Sequence, residues 1–151
     1  MRQSCPPSDP TAQTLQNLLG ALRAAHWSHW TSHWQVAGGS YYGDHILLQR
    51  LYEAIPAEID TLAEKMVGAY GPDVVEPVCQ AHVMLEFLNL QADTDPIRRA
   101  RKVEEYLLGY FQDVFSGLEA SRALSLGMND FLAATANAHE TFVYLLRQRT
   151  R

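Results

Sequence analysis

Apolar residues recur every three or four positions over two long stretches in the first half of the chain. This spacing predicts two amphipathic helices, over about residues 11–36 and 42–70. Gly38 and Gly39 should end the first helix, and Pro56 should kink the second. The repeating apolar positions are Leu15, Leu18, Leu19, Leu22, Ala25 and Trp30 in the first stretch, and Ile46, Leu47, Leu51, Ile55, Ile59, Leu62 and Met66 in the second.

The second half of the chain shows the same periodicity in one short and two long stretches. A short helix is predicted over about residues 78–90 and a third long helix over about 96–124. Gly127 should break the chain, and Asn129 or Asp130 should cap a last helix over about residues 130–147. The apolar positions are Val103, Tyr106, Leu107, Tyr110, Val114 and Leu118, then Leu132, Ala136, Phe142, Val143 and Leu146, with His139 among them.

Together these stretches give four long helices, and no segment has the pattern of a strand. The short helix falls in the connection between the second and third long helices. An all-α bundle with one long crossover is the ferritin-like topology. The 151 residues suit one domain. Prolines near the start predict a disordered lead-in over residues 1–10, which leaves residues 11–151 as the folded domain.

Composition, charge and cysteine content narrow the function classes. The formal net charge is −5, which argues against nucleic acid as a main partner because such binding depends on neutralising phosphates. Neither a signal peptide nor an apolar run of about 20 residues is present, so a cytoplasmic location without membrane contact is expected. Cys5 and Cys79 form no metal-ligand pattern, and they are expected to be free thiols.

The candidate chemistry begins with a run of histidines in the first helix. His26, His29 and His33 lie three and four residues apart, which places them near one helix face, and each is followed by a tryptophan. Neutral imidazole is the commonest metal ligand at neutral pH. A single histidine on a bundle face is more often a packed core residue, so the run gains weight only with other ligands nearby.

A polar stripe along the second helix supplies such ligands. Its members fall within about a 100° sector of the helix: His45, Gln49, Glu53, Asp60 and Glu64. A solvated face is the ordinary explanation for any one of these residues. The combination of an imidazole with three carboxylates along one line instead favours a metal site, and such ligands suit iron.

The residues from His33 to Lys65 resemble the Dps branch of the ferritins, the mini-ferritins. The matching features are the pair His33-Trp34, Gly39 and an aromatic residue (Tyr41 or Tyr42) in the turn, His45 twelve residues after His33, and the run Asp60-Thr61-Leu62-Ala63-Glu64. Lys65 stands where the family usually has arginine. The start of the last helix, Asn129-Asp130-Phe131-Leu132, and Glu140 also resemble the family, and the resemblance covers about residues 15–146.

The resemblance implies a ferroxidase centre at a two-fold interface between subunits. One subunit would give His33 and His45 as metal ligands, and its neighbour would give Asp60 and Glu64. The family has a further carboxylate four residues after the second histidine, but this chain has Gln49 there. A neutral amide is a poorer iron ligand, which weakens the second iron position.

Three residues are candidate auxiliary ligands around that weakened position: Gln49 itself, Glu53 one turn after it, and His29 one turn before His33. Trp34 is expected to pack at the subunit interface. Glu104 and Glu105 are candidate sites for nucleating mineral if they line a cavity.

The resemblance further implies what such a centre would do. Iron would be oxidised by peroxide or oxygen and stored as Fe(III) in a hollow homo-oligomeric shell, a dodecamer built from dimers, with protection against oxidative stress as the result. Zinc and manganese accept the same ligands, so the native metal is open. Family members often bind DNA through a lysine-rich tail, which this sequence lacks, so DNA binding is not expected.

Two alternatives stay beside this interpretation. A ferritin with its di-iron site inside each bundle would need Glu-x-x-His on two helices, and the sequence has no such motif. The second alternative is a Dps-like shell protein whose centre is degenerate because of Gln49. Such a protein would have a structural or non-oxidising metal-binding role.

Overall fold

The computed structural model describes Cys5 and residues 9–151 of the chain. Over this part the regular elements are all helical, which confirms the predicted bundle. They are α1 (Pro10–Gln35), α2 (Tyr41–Tyr70), a single 3₁₀ turn (Pro72–Val75), α3 (Pro77–Leu90), α4 (Pro96–Ala120) and α5 (Leu126–Arg149). Among these residues no helix is both long and apolar enough to cross a bilayer.

Side-chain caps set where the helices begin. The Asp9 carboxylate accepts hydrogen bonds from the backbone N–H groups of Thr11 and Ala12, at 2.7 and 3.0 Å, so α1 begins at Pro10. The predicted lead-in over residues 1–10 otherwise falls mostly outside the described residues. Asp95 caps α4 in the same way, and a proline follows each of these two caps, where its missing N–H costs nothing.

The predicted start of the last helix was wrong by four residues. Ser125 accepts a hydrogen bond from the Met128 N–H at 3.1 Å, and α5 begins at Leu126. Gly127 therefore lies inside the first turn and does not break the chain. A serine cap satisfies the free N–H groups of a first turn as well as Asn129 or Asp130 would.

The predicted end of the third long helix was also wrong by four residues. The helix α4 ends at Ala120, because Arg122 adopts a left-handed backbone with φ of 57°. The N–H of Ala123 then donates to the Leu118 carbonyl, and the N–H of Arg122 donates to the backbone carbonyl of Glu119. This is the Schellman arrangement, which usually has glycine at the left-handed position.

Helix α1 lies at the centre of the fold, since it packs against α2, α3 and α4. Gly20 allows a close approach to α3, because a Cβ there would lie 2.5 Å from Cγ1 of Val83. Most predicted apolar positions are buried, but Trp30, Ile46 and Tyr106 are exposed. They lie at the edges of their helical stripes, where periodicity cannot separate core from surface.

The expectation of free thiols was wrong: Cys5 and Cys79 form a disulfide, with their Cα atoms 5.6 Å apart. Cys5 lies against the first turn of α3, which brings two residues 74 positions apart into bonding range. Sequence spacing alone carries no information about this approach.

Candidate metal centre

The structure brings His33, near the end of α1, beside His45, in the first turns of α2. Their imidazole rings stack with centroids 3.6 Å apart and an interplanar angle of 25°. The short turn through Gly38, where φ is 86°, folds α2 back along α1 and makes this approach possible. Two histidines twelve residues apart in sequence thus form one side-chain pair.

Reciprocal hydrogen bonds fix the orientation of both rings. Nδ1 of His33 lies 2.9 Å from the carbonyl oxygen of His45, and Nδ1 of His45 lies 3.1 Å from that of His33. A carbonyl oxygen only accepts, so each Nδ1 carries the proton and donates it. In the neutral form of each ring the lone pair is therefore on Nε2, which is the tautomer that metal-ligating histidines adopt when a carbonyl holds the other nitrogen.

The two carboxylates predicted to complete the centre are not near this pair in the same chain. Asp60 and Glu64 are exposed on α2, and Asp60 lies 15 residues beyond His45. A rise of 1.5 Å per residue separates them by about 22 Å along the helix axis. The four residues can act together only if a second copy of the chain supplies Asp60 and Glu64.

Gln49 and Glu53, two of the candidate auxiliary ligands, interact with each other on α2. The Gln49 amide donates to Oε1 of Glu53 at 2.7 Å, near the surface of the helix. This bond occupies the amide nitrogen and holds a carboxylate one turn along from where the resemblance places one. The Glu53 carboxylate is thus a candidate metal ligand on the same face of α2 as His45.

Exposed aromatic side chains surround the histidine pair. His33 contacts the ring edge of Tyr52, with centroids 5.2 Å apart, and His45 lies beside Tyr41 at the same distance. Trp30 stacks on Tyr52 and contacts Trp34, which is 64% exposed. We call this set the aromatic face; its large exposed members are Trp27, Trp30, Trp34, Tyr41, Tyr42 and Ile46. Clusters of large exposed apolar side chains are typical of interaction sites.

His29, the third candidate auxiliary ligand, lies in the bundle interior, away from this face. It is fully buried, and its Nε2 is 2.6 Å from Oε1 of Glu104 on α4. The other Glu104 oxygen is 2.5 Å from Nδ1 of His139 on α5, and Nε2 of His139 is 2.9 Å from Oε2 of Glu58 on α2. These four residues, one from each long helix, form a hydrogen-bonded chain that we call the buried network.

Charge in the buried network follows from its hydrogen bonds. Burial would lower the pKa of His139, but the Glu104 carboxylate and the bonds to Glu104 and Glu58 raise it to about 10. Burial would likewise raise the pKa of Glu104, but the charge of His139 and the bonds from both histidines lower it to about 2. His139 is therefore an imidazolium that donates from both nitrogens to carboxylates at neutral pH.

The buried network is arranged along a line and does not converge on a point. Over Cys5 and residues 9–151, no group of three or more His, Cys, Asp or Glu side chains is placed to hold a metal ion. Nδ1 of His29 is buried without a hydrogen-bond partner among these residues. The network thus has the form of an internal ion pair extended by two further side chains, and Glu104 at its centre cannot nucleate mineral in a cavity.

Sequence reasoning missed Glu58, considered Glu104 only as a candidate site for nucleating mineral, and treated His139 as a core position. A signal was present, since His139 lies between Ala136 and Phe142 on the apolar stripe of α5, and Glu104 adjoins Val103 on α4. A titratable side chain at such a position needs a buried partner of opposite charge. Which partner it meets depends on helix rotation, which the sequence pattern does not define closely enough.

Comparison with known proteins supports the fold. No protein-family model matches the chain, and no curated protein sequence matches it. Three solved structures of Dps from Mycobacterium smegmatis are similar at 18–20% sequence identity. A C-terminal deletion mutant has a TM-score of 0.76 at 19% identity, and the match covers 93% of this chain and 97% of that one.

A tetragonal form of the same protein has a TM-score of 0.73 at 20% identity, with 92% of this chain and 85% of that one covered. A further structure of it has a TM-score of 0.67 at 18% identity, with 97% and 87% covered. The chain therefore has the Dps-like, ferritin-like fold that the sequence predicted.

Proposed function

We propose that this chain is an iron-binding and iron-storage mini-ferritin. It oxidises Fe(II) with peroxide or oxygen at centres shared between two subunits, and it stores Fe(III) inside a hollow shell. The observation that carries the proposal is the His33–His45 pair, whose Nδ1 atoms are held by carbonyl oxygens and whose Nε2 atoms keep their lone pairs. The Dps-like fold adds support, because the sequence resemblance to the Dps branch implied that His33 and His45 are metal ligands.

Distance and exposure support a centre shared between two subunits. Asp60 and Glu64 are exposed and lie about 22 and 28 Å along α2 from His45, so they are available to a second chain. A two-fold axis makes the contact reciprocal: the carboxylates of each subunit approach the histidines of the other. Each dimer then has two equivalent centres, and the aromatic face supplies apolar surface for the contact.

The proposed reaction needs only the imidazole and carboxylate ligands of the shared centre. Imidazole nitrogens and carboxylates bind Fe(II), and the carboxylate charge favours Fe(III) once an electron has left. Two Fe(II) ions reduce one peroxide to two hydroxide ions. Because the imidazoles must be unprotonated to bind, iron binding should weaken as the pH falls.

Iron oxidation by purified variants tests the proposal. Fe(II) is added to metal-free protein with oxygen or peroxide, and ferric absorbance is followed. His33→Ala and Asp60→Ala should each reduce the rate to near that of buffer. His82→Ala and Asp113→Ala change exposed residues of the same types on α3 and α4, and they should leave the rate close to that of the wild type.

A mixing experiment tests whether the centre is shared. One variant lacks the histidines (His33→Ala/His45→Ala) and the other lacks the carboxylates (Asp60→Ala/Glu64→Ala). When the two are dissociated and reassembled together, half of the dimers are mixed, and each mixed dimer has one complete centre. About a quarter of the wild-type activity should return. No recovery, with both variants assembled, would place the centre within one chain or remove it altogether.

The Gln49–Glu53 hydrogen bond favours one alternative, a Dps-like shell protein with a degenerate centre. In that case the chain would assemble and bind metal without oxidising it. Wild-type oxidation no faster than buffer, together with loss of Fe(II) or Zn(II) binding in His33→Ala, would support this alternative over the ferroxidase.

A further inference from the structure

The disulfide between Cys5 and Cys79 joins two parts of the chain that differ in their surroundings. Cys79 is the third residue of α3 and is 4% exposed, whereas Cys5 precedes the first helix and is only half-buried. A thiolate must approach a disulfide in line with the S–S bond. Cys5 is the less buried of the two cysteines, so its sulfur is the one that an incoming thiol can attack, with the Cys79 sulfur as the leaving group.

The helices on either side of the disulfide are held together without it. Gln16 of α1 is buried, and its amide donates at 3.2 Å to the carbonyl of Val74, in the 3₁₀ turn that precedes α3. Gly20 brings the α1 backbone against Val83 of α3, and Asp9 caps α1 by itself. Because these contacts do not involve either cysteine, the bond can open without separating α1 from α3.

We propose that Cys5–Cys79 is a reversible thiol–disulfide exchange site, with Cys5 as the position that forms mixed disulfides. The oxidised form links Cys5 to α3, and reduction breaks that link. This inference does not depend on iron oxidation.

The chemistry of the cycle balances. In reduction, a thiolate bonds to Cys5 and displaces the Cys79 thiolate, and a second thiol then displaces Cys5, which leaves two protein thiols and one small-molecule disulfide. In oxidation, a protein thiolate attacks peroxide to give a sulfenic acid and hydroxide, and the other thiol displaces water from the sulfenic acid to form the disulfide.

The first test titrates full-length, metal-free protein with glutathione under native conditions. Free thiols are alkylated, and the intact mass and the modified peptides are measured. We expect both thiols to appear together without denaturant, the trapped glutathione adduct to be on Cys5, and the helical circular dichroism to be unchanged. An adduct on Cys79, or reduction only in denaturant, would overturn the proposal, because the bond would then be a closed structural one.

The single-cysteine variants provide matched controls. The variant Cys79→Ser leaves the Cys5 thiol, which should react with a disulfide reagent at least about tenfold faster than the buried Cys79 thiol in Cys5→Ser. Equal rates would contradict the asymmetry on which the site rests. Peroxide added to the reduced wild type should restore the disulfide, with two thiols lost per peroxide; oxidation beyond the disulfide in its place would also overturn it.

Discussion

At the scale of single residues, Gln49 decides how well the proposed centre would work. It stands where the resemblance places a carboxylate, and its amide holds Glu53 at 2.7 Å. A neutral residue here lowers the negative charge of the centre by one, which disfavours a second ferric ion. The neighbouring Glu53 compensates only from one turn away.

We therefore expect Gln49→Glu to raise the rate of Fe(II) oxidation by about tenfold, equivalent to about 1.4 kcal/mol in the barrier. Stopped-flow absorbance measures the rate. The new carboxylate would lie one turn from Glu53, and this like-charge pair should cost only about 0.5 kcal/mol of stability in metal-free protein. Gln49→Ala is the control, since it breaks the hydrogen bond without adding charge. Equal rates for wild type and Gln49→Glu would show that the second position does not limit oxidation.

The buried network gives a prediction about pH. The pKa of His139 is raised from 6.5 to about 10, so its stabilisation is complete below pH 6.5 and is lost as the pH rises through 10. The pKa of Glu104 is lowered from 4.5 to about 2, so its stabilisation is complete above pH 4.5 and is lost as the pH falls through 2. The pair should therefore stabilise the fold most between pH 4.5 and 6.5.

Urea unfolding of metal-free wild type and His139→Gln at about pH 3, 5.5 and 9.5 measures this effect. The free energy of unfolding of the wild type should exceed that of His139→Gln by the largest amount at about pH 5.5. Loss of one partner of a buried pair typically costs about 3–5 kcal/mol. His82→Gln makes the same change on the exposed surface of α3 and should have little effect at any of the three. An advantage that is constant across them would mean that packing, and not charge, explains the cost of His139→Gln.

At the scale of helices, the sequence predicted which elements exist better than where they end. Periodicity repeated over 24 to 30 residues identifies the four long helices, but each end depends on one or two residues. Arg122 takes a position that usually belongs to glycine, and Ser125 caps α5 ahead of Asn129 and Asp130. Both choices are decided by the path of the connecting loop, which local sequence preference does not determine.

Contacts between helices predict that alanine substitution has opposite effects on the free energy of unfolding at two glycines inside helices. A Cβ at Gly20 would lie 2.6 Å from Cβ of Val83, which cannot rotate away, so α1 and α3 would have to separate. We expect Gly20→Ala to lower the free energy of unfolding by about 1–3 kcal/mol. A Cβ at Gly109 meets nothing within 4 Å, so Gly109→Ala should raise it by about 0.5–1 kcal/mol.

Chemical denaturation of both alanine variants checks the two signs. Adding Val83→Ala to Gly20→Ala should restore part of the lost stability, because the smaller side chain removes the close contact. If Gly20→Ala is as stabilising as Gly109→Ala, the gain in helix propensity outweighs the contact with Val83. The close packing of α3 against α1 that the structure shows would then be contradicted.

At the scale of the whole molecule, the proposed centre exists only in an assembly. The resemblance implied His33 and His45 as a pair of ligands from one subunit, because the residue types and the spacing that carry it are local properties of the sequence. Only the resemblance indicated that Asp60 and Glu64 act from another subunit. These two residues lie about 22 and 28 Å along α2 from His45, too far to share a site with it in one chain. The buried network, in contrast, depends on four helix rotations at once, so no local pattern predicts it.

The aromatic face makes assembly testable. Trp34 is 64% exposed and Tyr42 77% exposed in the single chain, and a two-fold contact would bury both in each subunit. Trp34→Glu would place an unpaired carboxylate in that contact twice, at several kcal/mol for each charge. We expect light scattering to show the wild type as twelve chains of 17.0 kDa, about 200 kDa, and Trp34→Glu as a much smaller species.

The rate of iron oxidation by Trp34→Glu should fall as well, although every proposed ligand is still present, because the centres need two subunits. Trp34→Phe keeps an apolar aromatic ring and should assemble normally. If Trp34→Glu keeps both the wild-type mass and its activity, the aromatic face lies outside the subunit contact, and the shared centre must be sought on another surface of α2.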